Sequence, residues 1–60
     1  MLPSDPLLLV SVLNCKLRDM YDSLDSLCED LDESKDAIIE KIESINYYYD
    51  EANNQIKPRA

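Results

Sequence analysis

Apolar residues recur at helical spacing through two consecutive short segments, and this pattern constrains the fold more than any other feature. The first segment repeats at i, i+3, i+4 and i+7, and the second repeats once per turn after a short polar break. The positions are Leu24, Leu27, Cys28, Leu31, Ile38 and Ile42. Two amphipathic helices joined by a tight turn are typical of a helix-turn-helix. The sequence therefore predicts a helix-turn-helix-like core.

Capping residues set the limits of three predicted helices. Asp5 followed by Pro6 is a strong start signal, which predicts a first helix over residues 6–20. Asp22 or Ser23 caps a second helix over 23–31, and Ser34 caps a third over 35–45. Asn46 is expected to end the third helix in the left-handed conformation. The core face of the first helix is expected to carry Leu9, Val10, Leu13, Leu17, Met20 and Tyr21.

From Tyr47 onwards the period changes from helical to alternating, which predicts a hairpin over residues 47–57. Tyr47 and Tyr49 share one face, and Ile56 on the returning strand should pack against one of them. We therefore expect residues 1–60 to form a single, mainly α domain. It has three helices in a helix-turn-helix-like arrangement and a short C-terminal β-hairpin.

The charge is unevenly distributed along the 60 residues, which carry a net charge of −7. Residues 1–21 are balanced, whereas residues 22–56 contain only two basic side chains, Lys35 and Lys41. Their acidic side chains are Asp22, Asp25, Glu29, Asp30, Asp32, Glu33, Asp36, Glu40, Glu43, Asp50 and Glu51. Nucleic acids and anionic membranes are bound largely through Lys and Arg. We therefore expect no membrane binding, and we do not favour nucleic acid as a partner.

Several kinds of chemistry lack the residues they need. The chain has no His and no Gly, and no nucleophile-base pair is evident, so we expect no enzymatic activity, catalytic residue, cofactor or small-molecule substrate. Two cysteines without His make no zinc site, and free thiols favour the reducing cytoplasm. No metal site is expected.

Two further patterns also argue against specialised roles. Asp30, Asp32, Ser34 and Asp36 have the spacing of the first ligands of a calcium loop. Lys35 and Lys41, however, stand where Gly and a bidentate Glu are needed. The apolar run from Leu7 to Leu13 is too short to span a membrane.

A second apolar stripe on the first helix suggests a contact with another chain. Leu8, Val12 and Cys15 are spaced i, i+4 and i+7, away from the core face. We expect this stripe to mediate self-association, with Asn14 fixing the register of the helix-helix contact. The alternative is that the hairpin folds over the stripe.

Two polar groups complete the candidate sites. The outward face of the third helix carries Asp36, Glu40 and Glu43, which with Tyr48 would meet a basic protein partner. A second group on the first helix contains Lys16, Arg18 and Asp19. Arg18 is expected to pair with an acidic residue of the second or third helix, or with a carboxylate of a partner.

The whole pattern resembles a family of short bacterial proteins, the domain-of-unknown-function family numbered 4250. The residues that carry the resemblance are Leu2-Pro3-Ser4-Asp5-Pro6, Asn14 to Asp19, Tyr21, Ser23-Leu24, Leu27-Cys28, Tyr47 to Asp50, Asn54 and Ile56. Two departures are Asn46, where Gly is expected, and Ile56, where an aromatic residue is more usual. The resemblance implies a bacterial protein but supplies no functional residue.

From the residues, we expect an interaction module that forms a homo-oligomer or binds another protein. Two alternatives stay open, a DNA-binding transcriptional regulator and an acidic mimic of DNA that binds a basic protein.

Overall fold

The computed structural model describes residues 2–59, which form three helices followed by an antiparallel hairpin. The helices are α1 (Pro6–Asp19), α2 (Leu24–Leu31) and α3 (Lys35–Glu43), and the strands are β1 (Tyr47–Asp50) and β2 (Gln55–Pro58). Three residues separate α2 from α3, as a helix-turn-helix requires. The predicted mainly α fold with a C-terminal hairpin is confirmed.

Side-chain caps begin all three helices. Asp5 Oδ1 accepts a hydrogen bond from the backbone N–H of Leu7 at 2.9 Å. Ser23 caps α2 by accepting from the N–H of Ser26, and Ser34 caps α3 in the same way. Each cap satisfies an N–H group that has no partner inside the helix.

The third helix ends at Glu43, two residues before the predicted end. The N–H groups of Ile45 and Asn46 bond to the carbonyls of Ile42 and Glu43, three residues back, so the chain tightens before it turns. Asn46 has the expected positive φ, 64°. Its left-handed backbone leads directly into β1 and does not end the helix itself.

One apolar core joins all three helices to β2. Its buried members are Leu9, Val10, Leu13, Leu17, Leu24, Leu27, Cys28, Ile38, Ile42 and Ile56. The prediction that Met20 belongs to this core is wrong, because Met20 is 65% exposed. Met20 follows the last residue of α1, and its φ of −124° turns the chain away from the helical path.

The hairpin lies with one face on the core. Tyr49 pairs with Ile56 and Tyr47 with Pro58, so the pairing extends one residue beyond the predicted hairpin. Tyr47 and Tyr49 pack against the core, whereas Tyr48 points to the opposite face of the sheet. Among residues 2–59, no helix is long and apolar enough to cross a bilayer.

Candidate protein-interaction surfaces

The apolar stripe of α1, formed by Leu8, Val12 and Cys15, faces away from the core. Leu8 is 58% exposed, Val12 is half-buried and Cys15 is exposed. Leu7, beside the stripe, is 61% exposed. Leu8 and Cys15 stay exposed beside the docked hairpin, so the hairpin does not bury these two residues.

Asn14 has a partner within the same chain. Its Nδ2 donates to the carbonyl of Ile56 at 3.1 Å, and its Oδ1 accepts from the N–H of Ile56 at 2.7 Å. Both bonds are partly buried. In the structure Asn14 therefore holds β2 against α1, a contact that the sequence analysis did not predict.

Two members of the polar group on α1, Arg18 and Asp19, pair with each other. Arg18 donates from Nε to Asp19 Oδ1 at 3.1 Å, and not to an acid of α2 or α3 as the sequence suggested. The hydrogen bond raises the pKa of Arg18 and lowers the pKa of Asp19. Lys16, the third member, is half-buried. Because Arg18 and Asp19 are both exposed, their pair contributes little to stability.

The acidic face of α3 comprises Asp36, Glu40 and Glu43, all of which are exposed. Glu43 lies 3.6 Å from the guanidinium of Arg59, which also sits 5.2 Å from the centre of the Tyr48 ring. Arg59 thus links Glu43 to Tyr48 at one end of the face. No ion pair within residues 2–59 involves Asp36 or Glu40.

A second polar contact holds the turn of the hairpin against the helices. The Tyr49 hydroxyl donates to Asn54 Oδ1 at 2.7 Å and accepts from the N–H of Leu24 at 3.2 Å. Asn54 Nδ2 donates to the carbonyls of Leu17 and Tyr21, each at 3.0 Å. Sequence reasoning missed this contact, because the only signal was that Asn tolerates the positive φ of 52° that Asn54 adopts.

The two outer edges of the hairpin differ. In an antiparallel pair, N–H and C=O groups alternately point toward and away from the partner strand. Asn14 bonds both backbone groups of Ile56, which shows that these groups face away from β1. Tyr47 and Tyr49 are paired with Pro58 and Ile56, so their backbone groups face away from β2. Within residues 2–59 no hydrogen bond satisfies these groups of Tyr47 and Tyr49.

A groove and a buried thiol bear on the chemistry that residues 2–59 can support. A shallow polar groove runs between α1 and the hairpin turn, with Ser11, Cys15, Arg18 and Gln55 among its lining residues. Across residues 2–59, no three metal-ligating side chains come together. Burial raises the pKa of the Cys28 thiol, which makes it a poor nucleophile at neutral pH.

The fold and these surfaces define a small, mainly helical domain that carries a docked hairpin and two exposed faces of different chemistry. The chain belongs to the family described as Domain of unknown function (DUF4250), whose model matches residues 3–56. The match covers all three helices and β1, and it confirms the resemblance seen in the sequence. No curated protein and no solved structure gives a significant match to the chain.

Proposed function

We propose that this chain is a small, non-enzymatic protein-interaction module that self-associates through the apolar stripe of α1. The observation that carries the proposal is the 58% exposure of Leu8, on the side of α1 that faces away from the core. Burying apolar surface of this kind stabilises an association by about 25 cal/mol per Å². The free thiols of Cys15 and Cys28 suit a cytoplasmic setting, which is part of the proposal.

The charge distribution favours α1 over the other helices as the contact between copies. The segment that contains α1 is balanced in charge, because Lys16 and Arg18 offset Asp5 and Asp19. The acidic side chains that give the chain its charge of −7 follow α1 in sequence. Two copies that meet through α1 therefore avoid the like-charge contacts that a contact through α2 or α3 would create.

The size of the stripe implies a weak association. α1 has 14 residues and is therefore about 21 Å long. One face of such a helix offers less than the roughly 800 Å² that each partner buries in a standard interface. We therefore expect a weak dimer that dissociates on dilution.

Sedimentation equilibrium from micromolar to millimolar concentration tests this proposal. We expect the wild-type mass to rise with concentration, and Leu8→Lys to keep the chain monomeric. Met20→Lys is the matched control, because Met20 is 65% exposed but lies outside the stripe. A wild-type chain that stays monomeric at every concentration would contradict self-association, and equal effects of the two substitutions would contradict the stripe.

The acidic face of α3 is the second surface of the proposed module, and we propose that it binds a basic protein partner. Asp36 and Glu40 are exposed and lie where a DNA-reading helix would need donors such as Arg or Asn. This arrangement counts against the DNA-binding regulator. A mobility-shift assay at low salt should show no DNA complex, and a complex would favour the regulator instead.

The acidic mimic of DNA differs from a general interaction module in one measurable way. A mimic competes with DNA for its basic partner, whereas a module that binds elsewhere on that partner leaves the DNA complex intact. Competition in a three-component binding assay would therefore favour the mimic.

A further inference from the structure

We propose that the outer edge of β1 accepts an extended, basic segment of a partner protein by strand addition. This inference rests on the proposed function, because it names how the acidic face of α3 and its surroundings would recognise their partner. Strand addition uses main-chain hydrogen bonds for affinity and alternate side chains for specificity.

The backbone of β1 has the free groups that strand addition requires. Tyr47 and Tyr49 direct their N–H and C=O groups away from β2, and none of these groups has a partner within residues 2–59. Buried backbone groups are nearly always hydrogen-bonded, so we expect these unbonded groups to face water in the free chain. An added strand would exchange bonds with Tyr47 and Tyr49 and leave Tyr48 paired to β2.

The opposite edge of the hairpin is not available for the same purpose. On β2, Ile56 already bonds through both backbone groups to the side chain of Asn14, and Pro58 has no N–H to donate. Strand addition is therefore directed to β1 alone.

The position of α3 indicates that the incoming segment is basic. Its C-terminal end leads into β1 through residues 44–46, and α3 packs against β1. The exposed carboxylates of Asp36 and Glu40 therefore lie on a helix that packs against β1. A second copy of this chain would bring a second acidic α3 to the same edge, and that repulsion disfavours it as the occupant.

An arginine of the same chain already occupies the site where we expect a basic side chain of the partner to bind. Arg59 sits 5.2 Å from the centre of the Tyr48 ring while its guanidinium lies 3.6 Å from Glu43. An aromatic face beside a carboxylate suits a cation. A basic side chain of the added strand can make the same contacts when Arg59 moves aside.

Amide hydrogen exchange, followed by NMR on the isotopically labelled chain, tests the inference. The probe is an acetylated ten-residue peptide of alternating Lys and Val. We expect the peptide to slow exchange at Tyr47 and Tyr49 at least severalfold and to leave Tyr48 unchanged, because the Tyr48 N–H already faces β2. The same peptide with an N-methyl group on every residue keeps its charge but has no backbone N–H group to donate to β1. Equal binding of the methylated peptide would overturn strand addition.

A matched pair of charge reversals tests the role of α3. Glu40→Lys should weaken peptide binding roughly fivefold, whereas Glu29→Lys on the exposed surface of α2 should have little effect. Equal weakening by both substitutions, or tight binding of a Glu-Val peptide, would overturn the assignment of a basic partner. Protection of Tyr47 and Tyr49 that rises with protein concentration, without peptide, would identify a second copy as the occupant.

The monomeric variant separates this inference from self-association. Leu8→Lys removes the proposed dimer contact but leaves β1 and α3 untouched, so it should bind the peptide as the wild-type chain does. Failure of self-association with normal peptide binding would contradict the first proposal only. No binding of the Lys-Val peptide at low salt by either chain would overturn the strand-addition inference.

Discussion

The two edges of the hairpin are built from the same kind of backbone but meet different surroundings. On β2, the carboxamide of Asn14 bonds to both the N–H and the C=O of Ile56, as the peptide group of a third strand would. On β1, the corresponding groups of Tyr47 and Tyr49 have no partner within residues 2–59. One side chain therefore decides which edge is structural and which is free to bind.

This difference follows from the small size of the sheet. A two-stranded hairpin is marginally stable in water and needs support from the rest of the domain. Asn14 and Asn54 supply that support from the α1 side, so β1 does not need a partner to remain folded. An open strand edge can pair with other chains and so promote aggregation. The edge of β1 limits this risk, because it is only four residues long and packs against an acidic helix.

Replacing Asn14 should have the largest effect on the stability of the fold, because it removes the support of β2 alone. In Asn14→Leu, Ile56 loses both bonds and its partly buried N–H and C=O are left without partners. Leaving one buried backbone group without a hydrogen-bond partner costs about 1–3 kcal/mol. We therefore expect the free energy of unfolding to fall by about 2–4 kcal/mol. Urea denaturation measures this change.

The control for Asn14→Leu is Gln55→Leu, which removes an exposed amide from the same hairpin. Asn14→Asp provides a milder variant if the first chain does not fold, because Asp retains the acceptor for the Ile56 N–H. Should Asn14→Leu instead leave stability unchanged and alter the mass of the assembly, Asn14 would act between chains, as the sequence suggested.

Removing the Tyr49 hydroxyl should have a smaller effect. In Tyr49→Phe, the hydrogen bond that the hydroxyl donates to Asn54 and the one that it accepts from the N–H of Leu24 are both lost. We therefore expect the free energy of unfolding to fall by about 1–2 kcal/mol. Tyr48→Phe is a matched control on the opposite face, because no hydrogen bond of the Tyr48 hydroxyl occurs within residues 2–59. Thermal unfolding of both variants checks the prediction, and equal losses would contradict it.

The local structure was predictable because its signals are short in sequence. Asp5, Ser23 and Ser34 cap helices by bonding to residues two or three positions away, so the motif and its partner lie together in the sequence. Helical spacing likewise identified the core positions of α2 and α3. The predicted end of α3 lies two residues too late, because Ile45 continues the apolar period after the backbone has begun to turn.

The contacts of the hairpin were not predictable because they join distant parts of the chain. Asn14 and Ile56 are 42 positions apart, and Asn54 bonds to Leu17 across 37 positions. An Asn on a polar edge of a helix has the same local pattern whether it binds this hairpin or another molecule. Only the packed structure shows that the carboxamide of Asn14 lies against the edge of β2.

Removing the ion pair between Asp50 on β1 and Lys57 on β2 should have the smallest effect on stability. This pair joins the two strands to each other. Asp50 accepts hydrogen bonds from Asn53 and from Lys57 on β2, which lower its pKa from 3.8 to about 2. A carboxyl group with a lowered pKa stabilises the fold above its unfolded pKa, and this contribution is lost as pH falls from about 4 toward 2.

Thermal unfolding between pH 5 and pH 2 would measure the contribution of Asp50. We expect the wild-type melting temperature to fall more steeply below pH 4 than that of Asp50→Asn, which has no carboxyl group at this position to protonate. Glu40→Gln controls for the removal of an exposed carboxylate from elsewhere on the surface. Because Asp50 and Lys57 join the strands to each other, their loss should speed amide exchange at Tyr48 and at Ile56 alike. Faster exchange at Ile56 alone would place the acid-sensitive contact between β2 and α1, and would contradict the assignment to Asp50.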